Sequence, residues 1–129
     1  MQTFKKEERL SEKKIIKELF EKGFSFYLSP FKLVWINTSI EGRFPAKVMI
    51  TVSSRNFRNA VDRNRIRRII REAYRKNKQI LYDSITQPSM KMAFVIIYTG
   101  KYIIPYSEAE AKIILILQRL VEENEKGTR

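Results

Sequence analysis

Residues 46–78, AKVMITVSSRNFRNAVDRNRIRRIIREAYRKNK, change from the periodicity of a strand to that of a helix. Residues 46–53 carry an apolar side chain at every second position, which predicts a strand with one face in a core. Residues 60–78 repeat their apolar side chains every three or four positions, which predicts a long helix. Residues 91–99, KMAFVIIYT, then predict a second buried strand.

The ends of two further helices carry recognisable capping residues. Ser11 is a candidate N-cap for a helix over 11–22, and Gly23 follows at the position of a C-terminal cap. Ser107 and Glu110 have the spacing of a capping box, so we expect the last helix to begin at Ser107. The Ile/Leu stripe of that helix is expected to lie in the core, as is Trp35.

Strands are also predicted at 31–38 and, more weakly, at 23–27. The resulting order of elements favours an α+β fold, in which a small, mainly antiparallel sheet and three helices form a two-layer sandwich. We expect a single domain over residues 1–129, with flexible ends at about 1–8 and 122–129.

The composition excludes several classes of function. The 129 residues include no Cys and no His, so disulfides, zinc fingers, a cysteine nucleophile and a histidine base are all excluded. No apolar run reaches the ~18–20 residues of a membrane-spanning helix. The start of the chain lacks the apolar stretch of a signal peptide. These features predict a cytoplasmic protein with no membrane association.

Positive charge is concentrated in the segment around the long helix. The chain has 26 Lys and Arg against 14 Asp and Glu, a net charge of +12. Residues 55–78 hold ten basic and two acidic residues, or +8 of that total, and every basic residue from Arg55 to Arg75 is an arginine. A helical projection places an arginine-rich stripe opposite the apolar one, and arginine binds phosphate through a planar fork. A solvated surface helix would usually mix the two signs, so the stripe favours a nucleic-acid partner.

The pattern leaves the type of nucleic acid open. A basic helix fits a DNA major groove, although strands flank this helix on both sides where a helix-turn-helix would have another helix. A sheet surface for single-stranded RNA could be formed by Lys32, Val34, Lys47, Met49 and Thr51. The same residues could instead lie under a helix as part of the core.

The stretch 59–75, NAVDRNRIRRIIREAYR, closely resembles the Arg-Asn-Arg signature of the bacterial ribonuclease P protein subunit. Arg9-Leu10, Phe20 and Gly23 are similar to the first part of that family, and the resemblance covers roughly residues 9–121. It implies a cytoplasmic protein in which a left-handed β-α-β crossover contains the basic helix. This helix is then expected to bind one large catalytic RNA. The resemblance also implies that the RNA, using Mg²⁺, removes the 5′ leader of precursor tRNA, while the protein itself binds no cofactor.

The resemblance, together with the arginine stripe, predicts two sets of binding residues. The set expected to contact the catalytic RNA is Arg55, Arg58, Arg63, Asn64, Arg65, Arg67, Arg68, Arg71 and Arg75. The set expected to form a cleft for the single-stranded leader is Ile16, Phe20, Lys32, Val34 and Thr51.

Four positions depart from the family pattern near the expected cleft. Ile16 and Val34 replace frequent aromatic residues, Ser54 replaces a lysine, and Met49 replaces a common glycine. An apolar contact can survive at Ile16, but base stacking cannot. Because the departures cluster where the leader is expected, they bear on leader recognition rather than on the family resemblance.

Three hypotheses of function follow from these observations. The first is the protein subunit of ribonuclease P, acting as a monomer in isolation, with no catalytic residues and no metal ligands of its own. The second is a ribosomal-type rRNA-binding protein with no catalytic role. The third is a nuclease that uses Asp62, Glu72 and Asp83. It is disfavoured because Asp62 and Glu72 lie farther apart along the helix than the acids of a metal site.

Overall fold

The computed structural model describes residues 3–40, 42–85 and 91–127, and its main elements follow the predicted order. A 3₁₀ turn at Lys6–Glu8 precedes them. The elements are α1 (Lys13–Lys22), β1 (Phe24–Leu28), β2 (Phe31–Thr38), β3 (Ala46–Val52), α2 (Ala60–Asn77), α3 (Gln79–Tyr82), β4 (Lys91–Tyr98) and α4 (Tyr106–Gly127). The short helix α3 has no counterpart in the sequence prediction. Residues 87–89, Gln-Pro-Ser, which interrupt the periodic pattern between the long helix and the strand at 91–99, lie outside the described residues.

The four strands form one mixed sheet in the order β1-β2-β4-β3. β2 pairs antiparallel with both β1 and β4, whereas β3 pairs parallel with β4. The sheet is therefore mainly antiparallel, and α2 lies in the connection between its two parallel neighbours, β3 and β4. The left-handed sense of this crossover, implied by the resemblance, stays a prediction.

One face of the sheet forms the main hydrophobic core with α2 and α4. Trp35 is 1% exposed and lies in this core, as predicted. The apolar stripes of both helices point into it, which confirms their predicted periodicity. Fully buried members on these two helices are Ile66, Ile70, Ala73, Tyr74, Ala109, Ile113, Ile116, Leu117 and Leu120.

The opposite face of the sheet is partly covered by α1. Leu19 is fully buried against Val34, Ala93 and Val95, and Ile16 packs at the edge of this smaller cluster. Helices therefore lie on both faces of the sheet, because α1 adds cover on the side away from α2 and α4. α1 leaves one part of this face open.

The start of α1 differs from the prediction. The helix begins at Lys13 with Glu12 at the N-cap position, so the prediction of Ser11 as N-cap was wrong. The Glu12 carboxylate instead accepts a hydrogen bond from Lys47 Nζ on β3 at 2.7 Å. At the other end Gly23 closes the helix with a hydrogen bond from its N–H to the Leu19 carbonyl. A Cβ at Gly23 would overlap that carbonyl oxygen, so the close approach of the backbone at Gly23 to the Leu19 carbonyl requires a glycine.

The last helix also begins differently from the prediction. α4 starts at Tyr106, one residue before the predicted Ser107. Glu110 does not complete a capping box, since its carboxylate accepts hydrogen bonds from Asn77 on α2 at 3.0 Å and from the Tyr106 hydroxyl at 3.1 Å. It therefore ties α4 to the end of α2.

Individual side chains within the two expected flexible ends contact the rest of the domain. Glu8 is 1% exposed and forms an ion pair with Lys78, whose Nζ lies 2.6 Å from Glu8 Oε2. The N–H of Leu10 then donates to the Val48 carbonyl of β3. At the other end α4 continues through Asn124, which accepts a hydrogen bond from Asn37 on β2 at 2.8 Å. The contacts of Glu8 and Leu10 place the N-terminal segment against β3 and the residue that follows α2.

Candidate nucleic-acid interface

Hydrogen bonds of two side chains, Asn59 and Arg63, fix the first turn of α2 and the loop before it. Asn59 caps the helix, since its Oδ1 accepts a hydrogen bond from the Val61 N–H at 2.9 Å. The Arg63 guanidinium turns back and donates to the carbonyls of Phe57 at 2.6 Å and Arg58 at 3.0 Å. Arg63 therefore organises the loop before the helix, and this loop carries the exposed side chain of Arg55.

The middle of α2 presents the arginines expected from its periodicity. Arg65 and Arg68 are exposed, and Arg67 is half-buried. Arg67 donates a hydrogen bond to the Oδ1 of the exposed Asn64 at 2.7 Å. This contact holds Asn64 and Arg67 together on the surface of the helix, so both side chains are partly ordered before any ligand binds.

Arg71 lies in a strongly positive environment. Its pKa is lowered by burial and by repulsion from the guanidinium groups of Arg9, Arg67 and Arg68. Its Nε is buried and has no hydrogen-bond partner within the described residues. An anion placed here would relieve the repulsion and could accept a hydrogen bond, which is the property expected of a phosphate site.

Arg9 also belongs to this basic surface, although it was not among the residues predicted to contact RNA. The N-terminal segment brings Arg9 beside Arg71, and its guanidinium lies over the Phe4 ring at 5.3 Å from the ring centroid. Arg9 lies far from α2 in the chain, so the helical periodicity carries no signal for this contact.

Arg75 forms an ion pair with an acidic residue of its own helix. Its Nε donates to Glu72 Oε1 at 2.5 Å. The hydrogen bond lowers the pKa of Glu72 and raises that of Arg75. Glu72 is thus engaged by a neighbouring arginine of its own helix.

A second candidate surface lies on the part of the sheet that α1 leaves open. Lys32, Ile97 and Thr51 are cross-strand neighbours on β2, β4 and β3, and Tyr27 on β1 extends the same row. Lys32 and Tyr27 are exposed, whereas Ile97 and Thr51 are half-buried. The row forms a shallow surface that combines an aromatic ring, a cation and apolar groups. Phe20 on α1 is also strongly exposed.

The structure separates the five residues predicted for the leader cleft. Lys32, Thr51 and Phe20 are accessible, Ile16 is half-buried, and Val34 is only 7% exposed in the cluster beneath α1. Val34 thus supports the helix, which agrees with the alternative that it is a core residue. Sequence reasoning missed Tyr27, for which the signal is the alternation of the short strand 23–27.

The acidic residues of the nuclease hypothesis do not form a metal site. Asp83 accepts a hydrogen bond from Gln79 Nε2 at 2.7 Å, and Glu72 pairs with Arg75. Across residues 3–40, 42–85 and 91–127, three or more His, Cys, Asp or Glu residues nowhere group in a way that could hold a metal ion. Among the helices in these same ranges, none has the length and apolarity to cross a membrane.

The sequence and the fold are both similar to known proteins. The Ribonuclease P family model matches residues 4–121. The "Ribonuclease P protein component" of Petrotoga mobilis is 34% identical over 122 residues, covering 92% of this chain and 96% of the relative. That of Porphyromonas gingivalis is 33% identical over 94 residues, covering 71% and 69%. The solved structure of the RNase P protein from Thermotoga maritima superimposes with a TM-score of 0.67 at 22% identity, over 87% of this chain and 96% of that one.

Proposed function

The chain belongs to the ribonuclease P protein family, and we propose that its two surfaces have separate binding roles in the removal of the 5′ leader of tRNA. The family places it in a ribonucleoprotein endonuclease, in association with the ribonuclease P RNA. The arginine surface of α2 binds that RNA, and the open part of the sheet binds the leader of the precursor tRNA.

The unbalanced charge around Arg71 is the observation that carries this proposal. Arg9, Arg67 and Arg68 all repel the Arg71 guanidinium, whose Nε also lacks a partner among the described residues. Such repulsion costs stability in the free protein and is offset when phosphates bind. The geometry therefore suits a polyanion that is part of the functional particle.

The proposed leader surface rests on the row formed by Tyr27, Lys32, Ile97 and Thr51. An exposed ring beside a cation is a combination that binds single-stranded RNA, since the ring stacks on a base and the cation attracts the backbone. Phe20 on the neighbouring helix offers a second exposed ring. Because Ile16 and Val34 contribute only apolar contacts, leader binding here depends on Phe20, Tyr27 and Lys32.

The chemistry of cleavage belongs, in this proposal, to the RNA partner and its Mg²⁺. The chain has no His or Cys and would bind no cofactor of its own. Its contribution is affinity, through arginine contacts to the catalytic RNA and through contacts to the leader. We further propose that the free protein is a monomer and that it works in the cytoplasm.

Reconstitution of leader cleavage tests the proposed function. The purified chain is added to a bacterial ribonuclease P RNA and a precursor tRNA at a low Mg²⁺ concentration at which the RNA alone is nearly inactive. Restored cleavage at the 5′ end of the mature tRNA supports the proposal. Binding to rRNA without stimulation of cleavage would instead favour the ribosomal-type alternative, and cleavage by the protein alone would favour a nuclease.

A further inference from the structure

A cleft beside α2 combines aromatic walls with an arginine rim. It has a volume of about 490 Å³ and is lined by Phe4 and Tyr106, by Ile69, and by Arg68 and Arg71, among others. This volume lies within the ~300–1,000 Å³ that is usual for small-ligand sites. Phe4 comes from the N-terminal segment and Tyr106 from the first residue of α4, so the cleft exists only where three parts of the fold meet.

We propose that this cleft binds one unstacked nucleotide of the RNA partner, with its base against the aromatic wall and its phosphate at Arg71. The proposal rests on the proposed function, because it takes the ribonuclease P RNA as the partner. It adds a site for a single base to a surface that otherwise contacts only the charged backbone.

The aromatic wall is already fixed in the free protein. The Phe4 ring packs edge-on against the buried Tyr74, with ring centroids 5.8 Å apart and an angle of 87° between the planes. The Tyr106 hydroxyl donates to Glu110 at 3.1 Å, and Lys76 Nζ lies 5.4 Å from the Tyr106 ring centroid. Rings held in this way lose little conformational freedom when a base stacks on them.

The rim supplies the second element of nucleotide recognition. Arg71 lines this cleft, and its half-buried guanidinium is surrounded by the positive charges of Arg9, Arg67 and Arg68, so a phosphate at the rim would be attracted to it. The exposed Arg68 adds positive charge at the same opening. The acidic Glu72 also lines the cleft, but its carboxylate is hydrogen-bonded to Arg75. Apolar rings next to a guanidinium favour a nucleotide over an inorganic anion, which would use the charge alone.

The first test compares two substitutions that leave the net charge unchanged. Phe4→Leu removes a half-buried ring of the cleft, and Phe24→Leu removes a more exposed ring on β1 that does not line it. Affinity for the ribonuclease P RNA is measured at several salt concentrations. We expect Phe4→Leu to weaken binding roughly five- to tenfold, the loss of one stacked base, with an unchanged salt dependence because no phosphate contact is lost. Phe24→Leu should bind as the wild type does.

A second variant guards against loss of folding as the cause. Ile69→Phe keeps both rings but fills the cleft, and it should weaken binding in the same way while the thermal unfolding transition stays cooperative. If the wild type binds the RNA and the Phe4 and Ile69 variants bind equally well, the nucleotide site is refuted and the proposed function stands. If the wild type does not bind the RNA at all, the proposed function fails.

The ligand chemistry is tested directly by NMR titration of the wild-type protein. Adenosine 5′-monophosphate should shift the ring resonances of Phe4 and Tyr106 together with the Arg71 side-chain signal. Inorganic phosphate should shift the Arg71 signal with little effect on the rings. Equal ring shifts with phosphate, or none with the nucleotide, would refute a base-binding cleft.

Discussion

The Arg63 guanidinium is bound to the Phe57 carbonyl oxygen at 2.6 Å and also to the Arg58 carbonyl at 3.0 Å. Arg63 belongs to the Arg-Asn-Arg signature by which the chain resembles its family, yet in the free protein its Nη1 is engaged within the chain. It holds the loop that presents Arg55 and Arg58 in front of α2. A residue of a binding signature can thus act by positioning its neighbours.

This role predicts that Arg63→Lys destabilises the fold, because the shorter lysine side chain does not reach the position of Arg63 Nη1, the nitrogen that donates to both carbonyls. Hydrogen bonds to charged groups contribute about 1.5–3 kcal/mol, so a loss of about 1.5 kcal/mol is expected. Urea unfolding measures it, with Arg68→Lys as the control on the exposed surface of the same helix. Equal stability of the two variants would show that the Arg63 contacts do not support the loop.

The buried ion pair of Glu8 and Lys78 predicts that a substitution of one partner destabilises the fold strongly. Replacement of both partners by apolar residues should restore most of the stability. Their side chains are 1% and 7% exposed, so Glu8→Gln leaves an uncompensated charge in the core. Breaking such a pair costs about 3–5 kcal/mol, whereas replacing both members with apolar residues is often neutral. The free energy of unfolding of Glu8→Gln should therefore fall by about 3 kcal/mol.

The double variant Glu8→Leu/Lys78→Met should recover most of that loss. A double-mutant cycle by urea unfolding gives the coupling between the two sites. Strictly additive losses would contradict the account, since they would mean that each residue stabilises the fold independently of the other.

The contact between Glu12 and Lys47 predicts a change of stability with pH. The hydrogen bond from Lys47 is the main cause that lowers the pKa of Glu12 below its ordinary value of 4.5. A carboxyl with a lowered pKa in the folded state stabilises the fold above its unfolded pKa. That contribution is lost as the pH falls from about 4.5 through the folded pKa.

Comparison of the wild type with Glu12→Gln isolates this contribution. The two proteins should differ in stability at pH 6 and converge towards pH 3, as measured by urea unfolding at each pH. Glu21→Gln, on the exposed surface of the same helix, controls for the loss of any carboxylate from α1. A constant difference between the wild type and Glu12→Gln over the whole range would contradict the assignment.

The proposed leader surface predicts that Tyr27 acts on precursor tRNA and not on mature tRNA. Tyr27→Leu should weaken binding of precursor tRNA to the reconstituted particle about fivefold, the loss of one stacked base. Affinity for mature tRNA should not change, because mature tRNA has no leader. Tyr102→Leu removes another exposed ring, outside the row, and should leave both affinities unchanged. An equal loss for both forms of tRNA would place Tyr27 outside leader recognition.

The periodicity of α2 made its two faces predictable, because the burial of Ile66 and Ile70 follows from spacing along one helix. The surroundings of Arg71 were not predictable in this way, since they depend on Arg9 in a distant segment. The same limit applies to Ser11 and Glu110, which have the residue types of caps but do not cap their helices. Glu12 and Glu110 find Lys47 and Asn77 across the fold, and such contacts are decided by tertiary packing.

The salt dependence of binding to the ribonuclease P RNA tests the central claim, that the arginine surface of α2 binds that RNA. Arg67→Glu/Arg68→Glu lowers the net charge from +12 to +8, and so does Lys22→Glu/Lys101→Glu on exposed sites outside the helix. The account predicts that the first variant binds much more weakly and that its slope of log K against log salt is reduced by about one to two. The second variant should lose far less. An unchanged affinity and slope for the first variant, or equal losses for both, would contradict the account.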